Sequence, residues 1–145
     1  MMDGEHQTPS APATLVIFGV TGDLVHRKLV PALYDLSCHG VLPPGFSLLG
    51  FGRRELSDGE LHELMQQSVD DHYGSEGVDG EACSRVLSSP RYVRGEFDDP
   101  QAYRRLAEVL EEIDRRRPVP GNRIFYLATP PSLFSTIITH LGEAG

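Results

Sequence analysis

The sequence predicts an α/β protein with a doubly wound, mostly parallel sheet, and three observations predict it. Short apolar runs alternate four times with longer stretches of helical period, the first run is apolar at consecutive positions, and that run ends in a glycine turn opening directly into a helix. A strand apolar on both alternations is one covered on both faces, as a central parallel strand must be.

That first strand is Thr14-Leu15-Val16-Ile17-Phe18, closed by Gly19. From Asp23 the period becomes helical, with Val25, Leu29, Ala32 or Leu33, and Leu36 expected on the inner face, and Gly40 at the capping position. Pro31 falls inside this helix, where it lacks a donor and its ring clashes with the preceding turn, so a kink or a weakened turn is expected. A second strand spans residues 46–51, ending at Gly52. Ser57 and Glu60 then form a capping box ahead of Leu61, Leu64, Met65 and Val69. Residues 74–80 read as an exposed turn and 91–97 as a short strand. Asp99 followed by Pro100 starts a third helix, whose inner stripe is Tyr103, Leu106, Ala107, Leu110 and Ile113. A fourth strand, 123–128, leads through Pro130 and Pro131 to a helix carrying Leu133, Phe134, Ile137, Ile138 and Leu141.

Composition narrows the function classes. With 145 residues and 39% hydrophobic content, the chain can build one compact domain with a core. A net charge of -8 disfavours a nucleic-acid binder, which needs a basic face. No apolar run approaches the roughly 20 residues that cross a bilayer, so no membrane partner is expected. Residues 1–13 read as a loose polar tail without a secretory signal, leaving 14–145 as the folded domain. Cys38 and Cys83 lie far apart and belong to no CxxC pair, which suggests neither zinc nor a disulfide and points to a reducing cytoplasm. The six scattered histidines form no metal set.

The chemistry should lie where strands end at their carboxyl edge, near the switch point of strand order. The turn Gly19-Val20-Thr21-Gly22-Asp23-Leu24 lets backbone N–H groups approach an anion at a helix start, the geometry that suits a pyrophosphate. Because it is not the full G-x-G-x-x-G fingerprint, an ordinary strand-to-helix turn capped by Asp23 is the competing reading. A Walker A loop is excluded, since no glycine directly precedes Lys28 and no Ser or Thr follows it. At the second strand end, where an NAD site usually carries an acid, stand Arg53 and Arg54, which suit the 2′-phosphate of NADP; otherwise they are a solvated basic pair. At the fourth strand end, Ala128-Thr129-Pro130-Pro131 is either a stiff wall beside a cofactor or a helix start.

Together these segments resemble the beginning of glucose-6-phosphate dehydrogenases, from about Leu15 to Gly145. The resemblance is carried by Gly19 to Leu24 with His26-Arg27-Lys28-Leu29, by Pro31-Ala32-Leu33-Tyr34, by Gly40-Val41-Leu42-Pro43, by Gly50-Phe51-Gly52-Arg53 and by Asn122 to Pro131. It implies a Rossmann-type domain that stops after its fourth strand-helix unit and binds NADP, with NAD as a weaker or dual cofactor. Carried over by position, Gly19, Thr21, Gly22, Asp23 and Leu24 hold the pyrophosphate, Arg53 binds the 2′-phosphate with Arg54 beside it, Glu96 and Phe97 flank the adenine, and Ala128, Thr129 and Pro130 line the nicotinamide side. Lys28 matches a family lysine near the nicotinamide and the substrate phosphate.

The resemblance also implies what these residues lack. The family's Glu-Lys-Pro-Phe-Gly strand and the Asp-His-Tyr segment with its catalytic histidine fall beyond Gly145, so none of the histidines is assigned as a base, and NADP binding without turnover is expected of these residues alone. In a full-length enzyme the family's reaction is oxidation of glucose 6-phosphate to the lactone in the pentose phosphate pathway, usually by a cytoplasmic homo-oligomer. The alternative is a stand-alone NADP-binding sensor, whose signature is an exposed apolar patch of Leu133, Ile137 and Leu141.

Overall fold

The computed structural model describes residues 12–42, 45–73, 87–116 and 122–144. The expected turn at 74–80, residues 1–11 of the expected tail, and Cys83 lie outside them.

Four parallel strands, β1 (Ala13–Phe18), β2 (Ser47–Gly52), β3 (Arg91–Arg94) and β4 (Asn122–Leu127), lie in the order β3-β2-β1-β4. The helices are α1 (Val30–Cys38), α2 (Asp58–Tyr73), α3 (Pro100–Arg115) and α4 (Phe134–Ala144). The chain therefore winds outward from β1 through β2 to β3, then returns to place β4 on the other side of β1. Alternation along the strands divides the core. Leu15, Ile17 and Leu48 pack with α1 and α2 on one face, while Val16, Phe18, Leu49, Phe51 and Val93 pack with α3 and α4 on the other. Both faces of β1 and β2 are covered, which is why their sequences are continuously apolar.

Ala13 belongs to β1 rather than to the tail: it is buried, in register with Asn122, and the Asn122 N–H donates to the Pro12 carbonyl at 2.8 Å.

The first helix resolves the Pro31 problem in an instructive way. Residues Val25–Leu29 form a π-helical turn before α1, and the Val30 N–H donates to the Val25 carbonyl, one residue further than in an α-helix. That extra residue shifts the buried stripe. Val25 is followed five positions later by Val30, then Leu33, Tyr34 and Ser37 at α spacing, all buried. Leu36, expected on the inner face from uninterrupted α periodicity, is instead exposed, and of the alternatives Ala32 and Leu33 it is Leu33 that is buried. Gly40, at φ +66°, ends the helix: its N–H donates to the Ser37 carbonyl at 3.1 Å, and the Val41 N–H to the Leu36 carbonyl at 3.1 Å, the Schellman pattern.

The other caps follow the sequence reading. The Ser57 N–H donates to Glu60 Oε1 at 2.8 Å and the Glu60 N–H to Ser57 Oγ at 3.1 Å, closing the capping box. The Asp99 carboxylate accepts from the Gln101 N–H at 3.0 Å, with Pro100 in the first turn of α3. One expectation fails. Cys38 is disulfide-bonded, because separation along a chain sets no distance in a folded one, and the argument from cysteine spacing to a reducing compartment goes with it.

Candidate functional site

The carboxyl ends of β1, β2 and β4 are tied into one rim. The Gly19 N–H donates to the Phe51 carbonyl at 2.8 Å, and the Ala128 N–H to the Phe18 carbonyl at 2.9 Å. Gly19 has φ +79°, and a Cβ there would stand 2.9 Å from the Ala128 carbonyl oxygen and 3.1 Å from Thr129 Cγ2. Glycine is required on both counts, since only it combines this backbone with so close an approach. The turn then closes through the Gly22 N–H to the Gly19 carbonyl at 2.9 Å, and the His26 N–H donates to the Gly22 carbonyl at 3.2 Å as the helix begins. The first-turn N–H groups of a helix have no partner within it, and this helix starts beside the switch point between β1 and β4.

At that point lies a cleft of about 360 Å³. Gly19, Thr21 and Gly22 line it from the first turn, Gly52, Arg53 and Arg54 from the end of β2, Phe97 from the loop after β3, and Ala128, Thr129, Pro130 and Leu133 from the end of β4. Nine of the sequence-derived positions thus meet in one place. Arg53 lies with its guanidinium carbon 5.9 Å from the centre of the Phe97 ring, within cation–π range. Phe97 is in turn held by the Tyr103 hydroxyl, which donates to the Phe97 carbonyl at 2.8 Å. Burial pushes that phenol up to about 12, with the Asp98 charge adding to it, so it remains a donor at any physiological pH. Thr129 Oγ1 is buried and, among the described residues, has no hydrogen-bond partner. An orphaned buried hydroxyl in a cleft wall is a polar group that a ligand in the cleft would satisfy.

Four predicted residues stand elsewhere. Leu24 is 51% exposed. Asp23 pairs with Arg27 at 2.7 Å and does not serve as the cap. Lys28 lines a separate cavity of about 420 Å³ together with Asp23, His26 and Arg27. Glu96 is exposed, and its backbone carbonyl accepts the Asp99 N–H at 3.2 Å.

Sequence reasoning missed Gly52 and Leu133 as cleft residues, although Gly52 sits inside a motif it used and Leu133 one turn beyond the proline pair. It also missed a Ser-His-Asp contact: His26 Nδ1 lies 2.7 Å from Ser68 Oγ, and Nε2 lies 2.9 Å from Asp71 Oδ2. The Gln67 amide and His26 together hold the Asp71 carboxyl below its ordinary range. Ser68 is 3% exposed and its hydroxyl also reaches the Leu64 carbonyl at 3.1 Å, so this trio clamps the π-helical turn to α2.

A larger groove of about 700 Å³ runs between α3, α4 and β4, lined mainly by apolar side chains such as Leu106, Leu110, Phe125 and Ile138. Arg123, its only charged lining residue among the described ones, is paired with Asp114 at 3.1 Å, and no convergent set of polar groups lines it among those residues. The apolar patch on the last helix is not the expected one: Ile137 is fully buried, and it is Ile138 that is exposed. Among the described residues no group of three or more His, Cys, Asp or Glu could hold a metal, and no helix is long and apolar enough to cross a membrane.

Comparison with known proteins agrees with this fold. Residues 16–145 match the family model described as "Glucose-6-phosphate dehydrogenase, NAD binding domain". The chain is 41% identical over 136 residues to "Glucose-6-phosphate 1-dehydrogenase 2" of Mycobacterium bovis, and 43% identical over 132 residues to "Glucose-6-phosphate 1-dehydrogenase" of Chlamydia pneumoniae. These alignments cover 94% and 91% of the chain but 26% of either relative, so the chain spans about a quarter of their length. A solved glucose-6-phosphate dehydrogenase in complex with its substrate glucose 6-phosphate superposes with a TM-score of 0.82 at 32% identity, over 93% of this chain and 28% of that one.

Proposed function

The chain belongs to the glucose-6-phosphate dehydrogenase family as its NAD-binding domain, and from that premise we propose that the cleft binds NADP and serves the oxidation of glucose 6-phosphate in the protein that carries these residues. The observation that supports this most is the convergence, in one cleft at the switch point, of the Gly19–Gly22 turn, the Arg53-Arg54 pair and the orphaned Thr129 hydroxyl.

The residues fit the group. The Gly19 to Gly22 turn and the helix start after it present backbone donors to the pyrophosphate, where their partial positive charge is aimed. Arg53, steadied over Phe97, binds the 2′-phosphate through charge-assisted hydrogen bonds, with Arg54 beside it. Ala128, Thr129 and Pro130 form the wall for the nicotinamide, and the Thr129 hydroxyl gains its missing partner there. When bound, the cofactor supplies the hydride-accepting ring, so the chain's share is binding and orientation. Asp23 and Leu24 shape the turn from outside the cleft, and Glu96 lies at the adenine end beside Phe97. Lys28 meets the substrate phosphate: no carboxylate neutralises its ammonium among the described residues, whereas neighbouring Arg27 is paired.

Calorimetric titration of the protein with NADP and NAD tests the reading. Arg53→Ala should weaken NADP by roughly ten- to a hundredfold, the value of a charge-assisted hydrogen bond of about 1.5–3 kcal/mol, and leave NAD nearly unchanged. Equal loss for both cofactors would show that Arg53 supports the fold instead.

A further inference from the structure

We propose that Arg94, outside the cleft lining, is a specificity-determining residue of this phosphate edge: it fixes the backbone of Arg53 and adds a second positive contact to a phosphate monoester held there. The proposal rests on the reading of Arg53 and Arg54 as the 2′-phosphate site.

Three observations carry it. The first is register. Arg94 is paired with Gly52 across the sheet, and the Gly95 N–H donates to the Gly52 carbonyl at 2.9 Å, so Arg94 stands beside the residue that precedes Arg53. The second is a set of side chains holding carbonyls. Arg94 Nε donates to the Arg53 carbonyl at 3.2 Å, the Tyr92 hydroxyl to the Arg54 carbonyl at 2.5 Å, and Arg105 Nη2 to the Arg94 carbonyl at 2.6 Å. Burial raises the Tyr92 phenol despite the opposing pull of Arg94 and Arg54, which keeps it a donor. The Arg53-Arg54 loop is thus pinned from β3, which Arg105 of α3 holds in turn, and its guanidinium groups have no carboxylate partner among the described residues.

The third observation is charge. Arg27, Arg91, Arg116 and Arg123 each pair with a carboxylate. Arg53, Arg54, Arg94 and Arg105, all exposed, pair with none among the described residues, although the chain carries a net charge of -8. Like charges gathered without counter-charges repel one another, and an anion placed among them relieves that repulsion. Arg94 spends one N–H on the Arg53 carbonyl; a guanidinium has five, so four remain for the anion.

The test separates charge from scaffolding. Arg94→Gln keeps an amide donor for the Arg53 carbonyl and removes the charge, and Arg94→Lys keeps the charge. We expect Arg94→Gln to weaken NADP and adenosine 2′,5′-bisphosphate about tenfold, to leave NAD unchanged, and to flatten the salt dependence of NADP affinity, with Arg94→Lys recovering part of the loss. NADP affinity unchanged in Arg94→Gln, or equal loss of NADP and NAD, overturns the proposal. Arg53→Ala is measured alongside: an NADP-selective loss there with none at Arg94 sinks this proposal alone, while no selective loss at Arg53 sinks the site reading beneath it.

Discussion

β3 meets solvent along one edge of the sheet with Arg91 and Arg94, while β4, at the opposite edge, carries Ile124, Phe125 and Tyr126, which are 49%, 40% and 36% exposed. Arg91 bridges Asp58 and Glu112 at 3.3 and 3.1 Å, and the only inward residue of β3 that is fully covered is Val93. Charged residues on an edge strand discourage pairing with further chain, whereas an apolar edge invites it. Both strands pair in parallel with a buried neighbour, so pairing alone does not explain the contrast. The difference teaches that strand composition reports the environment a strand is selected for: β3 is composed as a finished edge, and β4 as a strand with apolar surroundings.

The sharpest way to break this comparison is to place one charge on each edge. Val93→Lys should destabilise the protein by at least about 3 kcal/mol, because it puts an uncompensated charge among Phe51, Tyr103 and their neighbours. Ile124→Lys should change stability by less than about 1 kcal/mol if β4 is open to water as it is here. Urea unfolding of both variants decides: comparable losses would mean that β4 is covered in solution.

A smaller effect is expected where β1 and β4 meet. Gly19→Ala forces a Cβ toward the Ala128 carbonyl at an unfavourable φ, and should destabilise by more than about 1 kcal/mol. It should also weaken both NADP and NAD, because the change displaces the turn rather than the phosphate contact. Retained affinity for both would show that this crossing does not shape the cleft.

The smallest effect is the acid response of the charged edge. The Arg91 guanidinium, by hydrogen bond and then by charge, holds the Glu112 carboxyl below its ordinary 4.5. A depressed carboxylate contributes stability above its unfolded value, and that contribution fades as pH falls through the folded value. The urea midpoint should therefore drop on acidification below about pH 5 less steeply in Glu112→Gln than in the parent, with the two curves converging at low pH. Parallel curves would remove the ion pair from the account of this edge.

Much of this was legible in the chain itself. The capping box at Ser57, the Asp99 cap and the glycine C-cap were readable because each is a local arrangement whose donor and acceptor lie within a few residues. The parallel sheet was readable because burial on both faces leaves no polar alternation in β1. The Leu36 expectation failed for the opposite reason: a π-helical turn before Pro31 adds one residue to the period, and nothing in the apolar pattern announces that shift. Cys38 failed likewise, since a disulfide depends on closeness in space.

For the candidate site, residue type and motif determined which side chains are concerned: glycines at the first turn, arginines at the end of β2, a threonine and prolines at the end of β4. Only the tertiary structure decided which of them share a cleft, leaving Lys28, Asp23, Leu24 and Glu96 outside it, and which residues support it from behind. Tyr92 and Arg94 lie some forty positions from the loop they hold, and no local pattern records such contacts. The physical reason is range: propensity, capping and periodicity act over a few residues, whereas a ligand site is a meeting of strand ends fixed by sheet order.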